Sequence, residues 1–292
     1  MGKLLRTITS DGSAVAFAID SADIVNTACG IHRPSAVVAA ALGRMLTAAS
    51  MMGSMLKGRG SVTLRIDGGG PAGTLIAVAD SHGDVRGYVE NPVVELALKP
   101  SGKLDVSGAV GTQGILSVVR DLGMKENYSG QVPLRSGEIA EDITEYFARS
   151  EQIPTACALG VLVDRDLSIK SAGGLIIQLL PFADEEITEK IENNISHLRP
   201  LSEMLAQGMT PADITAQALA GFETETVDER TVSYRCTCSR RRTEKILRSL
   251  GRDELEQMIE TDGGAQVKCH FCGREYNFDA GELRAIADAK KQ

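Results

Sequence analysis

The chain has 292 residues, enough for about two domains and a sizeable buried core. Hydrophobic residues at 43% and charged residues at 24% describe a soluble, folded protein and exclude a disordered one. A formal net charge of -8 argues against a protein whose main business is binding nucleic acid.

Met1 to Thr7 lacks the apolar core and small-residue cleavage site of a signal peptide, so a reducing, cytoplasmic setting is expected. The long apolar stretch from Ala36 to Leu56 is broken by Gly43, Arg44, Thr47, Ser50, Gly53 and Ser54. That makes it a buried helix over Ser35–Lys57 and not a membrane span. Alternation then gives strands at Ser61–Asp67, Thr74–Val78 and Val85–Val89, the first two joined by Gly68-Gly69-Gly70-Pro71. A helix is expected at Ala140–Arg149 and a strand at Leu175–Leu180. Helices and strands interleave without steady βα alternation, so the fold class is α+β, with a mixed N-terminal core domain over residues 1–182.

Residues 183–222 have a different texture and form a helical linker arm. Ile187, Ile191, Ile195 and Leu198 fall on one helical stripe among Glu185, Glu186, Glu189, Lys190 and Glu192. Arg199-Pro200 stops this helix, and Thr210-Pro211-Ala212-Asp213 opens another with a Thr cap and Pro at the first helical position. So narrow a stripe folds only against another surface and is marginal alone.

Residues 223–292 are expected to form a small C-terminal module. Val232, Tyr234 and Cys236 alternate on one strand face, and short helices at Thr243–Leu250 and Arg252–Glu260 hinge at Gly251. Asp262-Gly263-Gly264 turns the chain, and Asp279 with Glu282 has the spacing of a capping box that opens a last helix.

The chemistry lies in two pairs, Cys236-Thr237-Cys238 and Cys269-His270-Phe271-Cys272. Two close pairs bracketing a helical insert have the form of a four-sulfur metal site. Zinc is the expected occupant, because its tetrahedral shell closes on four thiolates. His270 is then a bystander. In the C-x-C pair a single residue holds two sulfurs on one side of an extended segment, close enough to chelate and close enough to oxidise together. Arg235, Arg240, Arg241, Arg242, Lys268 and Arg274 stand near enough in sequence to offset the thiolate charge. Cys29 and Cys157 stand apart in apolar surroundings and read as small buried hydrophobes.

Other motifs only outline chemistry. Gly68-Gly69-Gly70-Pro71-Ala72-Gly73-Thr74 lacks the lysine of a phosphate loop and reads as a hairpin turn. Glu138, Glu141, Asp142 and Glu145 are expected on a solvated helix face as dipole partners. His32, His82, His197 and His270 are scattered, and no catalytic triad is evident. No enzymatic activity is expected.

The chain resembles the heat-shock protein 33 family of bacterial redox-regulated holdase chaperones over nearly its whole length. The resemblance is carried by Asn127-Tyr128-Ser129-Gly130-Gln131-Val132, by Ser136-Gly137-Glu138-Ile139-Ala140-Glu141-Asp142-Ile143 and by Ser150-Glu151-Gln152-Ile153-Pro154. It continues through Gly173-Gly174-Leu175-Ile176-Ile177-Gln178, Cys236-Thr237-Cys238-Ser239 and Cys269-His270-Phe271-Cys272. It implies one zinc ion per chain on Cys236, Cys238, Cys269 and Cys272 in a dormant reduced state. It also implies that oxidation pairs Cys236 with Cys238 and Cys269 with Cys272, releases zinc, and activates ATP-independent binding of unfolding client proteins. Dimerisation through the N-terminal domain in the active form is implied too, with no membrane and no specific nucleic acid as partner. Two other classes remain open on the residues alone. A zinc-ribbon nucleic-acid-binding regulator would use Arg240, Arg241 and Arg242 on phosphates. A thiol–disulfide oxidoreductase would use the C-x-x-C, although the βαβ context for that motif is missing.

Overall fold

Two antiparallel five-stranded sheets enclose one long apolar helix in this computed structural model, which describes residues 1–288. In chain order the first elements are β1 (Gly2–Thr9), β2 (Ala14–Asp20), α1 (Ala22–His32), α2 (Ala36–Ser54), β3 (Ser61–Asp67), β4 (Leu75–Asp80) and β5 (Val85–Val89). There follow α3 (Val106–Val110), β6 (Ile115–Asp121), β7 (Tyr128–Pro133), α4 (Ala140–Tyr146) with a π-helical turn at Phe147–Glu151, β8 (Thr155–Val163) and β9 (Ile169–Leu179). The arm holds α5 (Glu185–Ser196), α6 (Leu201–Ala206) and α7 (Pro211–Ala218), and leads into β10 (Thr224–Val232). The last elements are α8 (Arg240–Ser249), α9 (Arg252–Asp262), β11 (Gly264–Lys268), β12 (Glu275–Asp279) and α10 (Ala280–Asp288).

The strand orders are β10-β1-β2-β9-β8 and β5-β4-β3-β6-β7. Period-2 alternation does the work that it promised. On β3, Val62, Leu64 and Ile66 are buried while Arg65 and Asp67 face solvent. α2 packs on strands of both sheets, and its residues from Val37 to Ser54 are buried apart from the half-buried Arg44. By length and composition it could cross a membrane, but here it is the core helix. Gly43 and Gly53 let it approach so closely: a Cβ on Gly53 would sit 2.5 Å from the carbonyl of Asp80.

The Gly68–Pro71 stretch is the turn of the β3–β4 hairpin. Its amides serve the fold: Gly70 N donates to Val110 O at 3.0 Å, and a Cβ on Gly70 would lie 2.4 Å from Gly111 N. Ala72 N and Gly73 N are likewise taken, by Ala109 O at 2.9 Å and Gly70 O at 3.0 Å.

Of the acids around α4, Glu141 is exposed as expected, but Asp142 and Glu138 depart from a solvated face. Asp142 is fully buried, and its carboxylate accepts from the amides of Arg135 at 2.7 Å, Ser136 at 3.0 Å and Ile139 at 2.9 Å. Glu138 is partly buried between Arg44 Nη1 and Lys99 Nζ, each at 2.5 Å. The reason is local: Ile139 takes a φ of 73°, a region strained for a β-branched residue, and the Asp142 carboxylate holds that turn in place. Asp142→Ala is expected to cost about 3 kcal/mol or more, since it strips a charged acceptor from several buried amides. Urea unfolding should read this as a lower midpoint, and an unchanged midpoint would refute the assignment.

The arm is part of the first compact unit, Met1–Arg235. Ile191 is buried, and Ile187, Ile195 and Leu198 pack beside it, together with Leu201, Met204, Ile214, Ala218 and Leu219 from the next helices. The surface beneath them is the outer face of the first sheet: Ala14, Ala16 and Ala18 of β2, with Leu175 and Ile177 of β9. The expected cap is present, with Thr210 Oγ1 accepting from Asp213 N at 3.2 Å, and the structure adds a second at Asp184, which accepts from Ile187 N at 2.9 Å.

The boundary expected at residue 223 is displaced. Residues 224–232 form β10, which runs along β1 from Thr9↔Thr224 to Gly2↔Val232. The outer edge of β1 needs hydrogen-bond partners, and this Thr/Val/Glu-rich run supplies them. The second unit therefore starts at Cys236. Its core is small: Leu247, Leu255, Tyr276, Phe278, Leu283, Ile286 and Ala287. The capping box is formed as expected, with Glu282 N donating to Asp279 Oδ1 at 2.8 Å and Asp279 N to Glu282 Oε2 at 3.1 Å.

Candidate metal centre

The two cysteine pairs sit on different kinds of backbone, one extended and one turned. Cys236 and Cys238 lie on the extended segment leading into α8, whose cap is Ser239, the Oγ of which accepts from Arg242 N at 3.3 Å. Cys269 and Cys272 occupy the turn of the β11–β12 hairpin, closed by Gly273 N donating to Cys269 O at 2.8 Å and Cys269 N donating to Arg274 O at 2.9 Å. Gly273 has a φ of 70°, the left-handed conformation that glycine adopts without strain.

The four sulfurs converge within 4.8 Å of one another and could hold a metal ion; His270 is not among the converging groups. Cys236 Sγ lies 3.7 Å from Cys269 Sγ, and Cys238 Sγ lies 3.4 Å from Cys272 Sγ. Metal–sulfur bonds of about 2.3 Å in a tetrahedron give sulfur–sulfur edges of about 3.8 Å, so the donor set fits such an ion. Both of these short contacts run between the two pairs, so the pairs face one another across the cluster.

The environment of the sulfurs is uneven. Partial burial works against ionisation of Cys238, but hydrogen bonds from Tyr276, Cys272, Cys236 and Cys269 outweigh it and bring its thiol down to about 7. Tyr276 Oη donates to Cys238 Sγ at 3.1 Å. Burial pushes Cys236 up to about 12 and also raises Cys272. One sulfur is thus poised as the thiolate that its neighbours share protons with. A divalent cation would displace those protons and take all four sulfurs as thiolates.

The basic residues divide. Arg274 lies close to Tyr276 and feels the sulfurs of Cys238 and Cys272. Arg242 Nη1 donates to Thr237 O at 3.0 Å, bracing the C-x-C segment. Arg240 stacks over Phe278 at 4.3 Å and donates to Glu282 Oε1 at 2.6 Å, so it is built into the module. Lys268 pairs with Glu275 at 3.8 Å. Arg235, expected to offset thiolate charge, pairs instead with Asp84 Oδ2 at 3.2 Å. Tyr276 was not legible as part of the site. Alternation on β12 puts it inward beside Phe278, but nothing in the sequence says that its hydroxyl meets a sulfur. Cys29 and Cys157 lie outside the cluster and pack against apolar groups, and burial pushes Cys29 up to about 11 and Cys157 higher still. Both are half-buried, not fully buried as the sequence suggested.

The family model described as Hsp33 protein matches residues 2–279. The chain belongs to the Hsp33 family. Curated Hsp33 relatives bear the name 33 kDa chaperonin. That of Bacillus licheniformis is 45% identical over 288 residues and covers 99% of both chains. That of Bacillus subtilis is 43% identical over 288 residues, again covering 99% of each. The crystal structure of the 33 kDa chaperonin (heat shock protein 33 homolog) from Thermotoga maritima superposes with a TM-score of 0.90 at 37% identity, covering 99% of this chain and 98% of that one. The match to that structure therefore spans residues of both compact units.

Proposed function

We propose that this chain is a redox-regulated, ATP-independent holdase that binds unfolding proteins and keeps them from aggregating under oxidative stress. In the reduced state Cys236, Cys238, Cys269 and Cys272 would hold one Zn2+, which supplies structural cross-linking and no catalysis. The observation that carries this reading is the convergence of four sulfurs within 4.8 Å in a module with only a small apolar core of its own. Membership of the Hsp33 family supports the chaperone role.

Oxidation works on the same four sulfurs. Two thiols and one hydrogen peroxide give one disulfide and two waters, so two peroxides would pair Cys236 with Cys238 and Cys269 with Cys272. Each disulfide withdraws two ligands, and the module loses what holds it folded. With mild heat the arm, which packs on one face of the first sheet, then leaves that sheet. That uncovers Ala14, Ala16, Ala18, Leu175 and Ile177 and frees the arm's own apolar stripe. Exposed apolar patches of this kind bind other unfolding chains. A cytoplasmic location and a homodimeric active form complete the reading. The zinc-ribbon alternative is less well supported, because Arg240 and Arg242 already serve contacts within the module.

The test is light scattering by a thermally unfolding client, with and without prior peroxide and mild heat, and with Zn2+ release read in the same tube. The reduced protein should leave aggregation unchanged and the oxidised one should suppress it as the ion appears in solution. Equal suppression in both states would overturn the switch. Steeply salt-dependent nucleic-acid binding by the reduced form would favour the alternative.

A further inference from the structure

Between the arm and the cysteines runs β10, an edge strand on which only Val232 is buried. A strand with so little apolar burial is held mainly by its ladder to β1, and that ladder is interrupted by a bulge at Arg6/Thr7. If residues from Cys236 onward unfold, β10 should fray from its C-terminal end unless something stops it.

The structure places a clamp at that end. The buried carboxylate of Asp84 accepts from Ser233 N at 2.9 Å and from Ser233 Oγ at 2.8 Å, and pairs with Arg235 Nη1 at 3.2 Å. Between those two residues, Tyr234 Oη donates to Gly87 O at 2.8 Å, with His32 Nε2 at 3.3 Å. Backbone bonds close the same stretch: Val85 N to Ser233 O at 2.9 Å and Arg235 N to Val85 O at 2.8 Å. Asp84 is itself held by a tight turn, since Asp80 Oδ1 accepts from the amides of His82, Gly83 and Asp84. Three consecutive residues are thus fastened to the start of β5, and the next residue is the first cysteine of the cluster.

We propose that Asp84 is a stop: it confines unfolding of the module to residues from Cys236 onward and so sets how readily that unfolding reaches the arm. The proposal rests on the metal-held module described above. It adds the point at which disorder halts and the group that halts it. A carboxylate bonded to two donors of Ser233 and to a guanidinium is among the stronger hydrogen-bonding groups a surface strand can have, because one partner is charged throughout. With the stop intact, the module alone melts, and release of the arm demands further input such as heat. With the stop removed, loss of the metal should carry through β10 towards the arm directly.

The experiment is amide hydrogen exchange on the full chain, reduced and anaerobic, before and after metal removal by a chelator. In the wild type, residues 236–288 should lose protection while residues 224–235 and their β1 partners keep it. In Asp84→Ala, and to a smaller degree in Ser233→Ala, residues 224–235 should exchange roughly ten- to hundred-fold faster after chelation. Ser233→Ala keeps the core charge and serves if the first variant folds poorly. Loss of protection at 224–235 together with the module in the wild type would overturn the stop, as would unchanged protection there in both variants. Retained protection at 236–288 would instead overturn the metal-held module, so the two failures are distinguishable.

Discussion

Chelating the metal from reduced protein in the absence of oxygen is expected to unfold residues 236–288, not merely to loosen them. The core of that unit consists of Leu247, Leu255, Tyr276, Phe278, Leu283, Ile286 and Ala287. Domains of this size rarely draw more than about 3–5 kcal/mol from such a core. A structural zinc site contributes about 10–16 kcal/mol of apparent free energy at neutral pH. Removing the larger quantity leaves a net deficit, so α8, α9 and α10 should lose helical circular dichroism together and regain it when Zn2+ is restored. Cys269→Ser, which removes one ligand from the β11–β12 turn, should mimic chelation. If the metal-free unit keeps its helices and its amide protection, the ion is not what holds it.

The second large effect concerns the arm. Met204 and Ile214 are buried at 0% and 1% exposure against the outer face of the first sheet, and few other arm side chains are buried so completely. Truncating either to alanine should remove about 2–5 kcal/mol. A segment with so narrow an apolar stripe has little stability beyond that. Met204→Ala and Ile214→Ala are therefore expected to suppress client aggregation while fully reduced and metal-loaded, with no peroxide. Proteolysis within residues 183–222 should rise in step, while Zn2+ stays bound. A variant whose arm is cut readily but whose reduced form leaves client aggregation unchanged would show that uncovering this sheet face is not what activates the protein.

The two predictions separate the proposed switch into its halves. Chelation acts on the module and leaves the sequence of the arm intact, whereas the alanine variants loosen the arm and leave the cysteines intact. Between the halves stand β10 and the contacts of Asp84. If arm release and metal loss were one cooperative event, the alanine variants would lose Zn2+ as they became active.

Much of this could be read from local pattern. The core helix, the β3–β4 hairpin, the Ile187/Ile191/Ile195/Leu198 stripe and the caps at Thr210 and Asp279 each rest on residues within a few positions of one another. The four cysteines were legible for the same reason, since chelation imposes short spacings within each pair. Asp142 was misjudged because acids near a helix start usually face water; its burial depends on the left-handed turn at Ile139, which no spacing announces. Residues 224–232 were assigned to the module because a strand's alternation does not say which strand it will pair with. The answer lay more than two hundred residues back, in β1.

Taken alone, then, the sequence determined the core helix, the β3–β4 hairpin, the stripe of the arm, the pairing of the four clustered cysteines and the contrast between a well-filled core and a tail short of apolar residues, all of which follow from near neighbours. Only the tertiary structure decided that the arm covers the β2–β9 face, that Tyr276 bonds to Cys238, and that Asp84 grips the chain just ahead of Cys236. Tyr276 and Cys238 are 38 positions apart, and Asp84 and Ser233 are 149 apart; the formation of such contacts depends on how sheets and helices stack, which residue order along the chain does not encode locally.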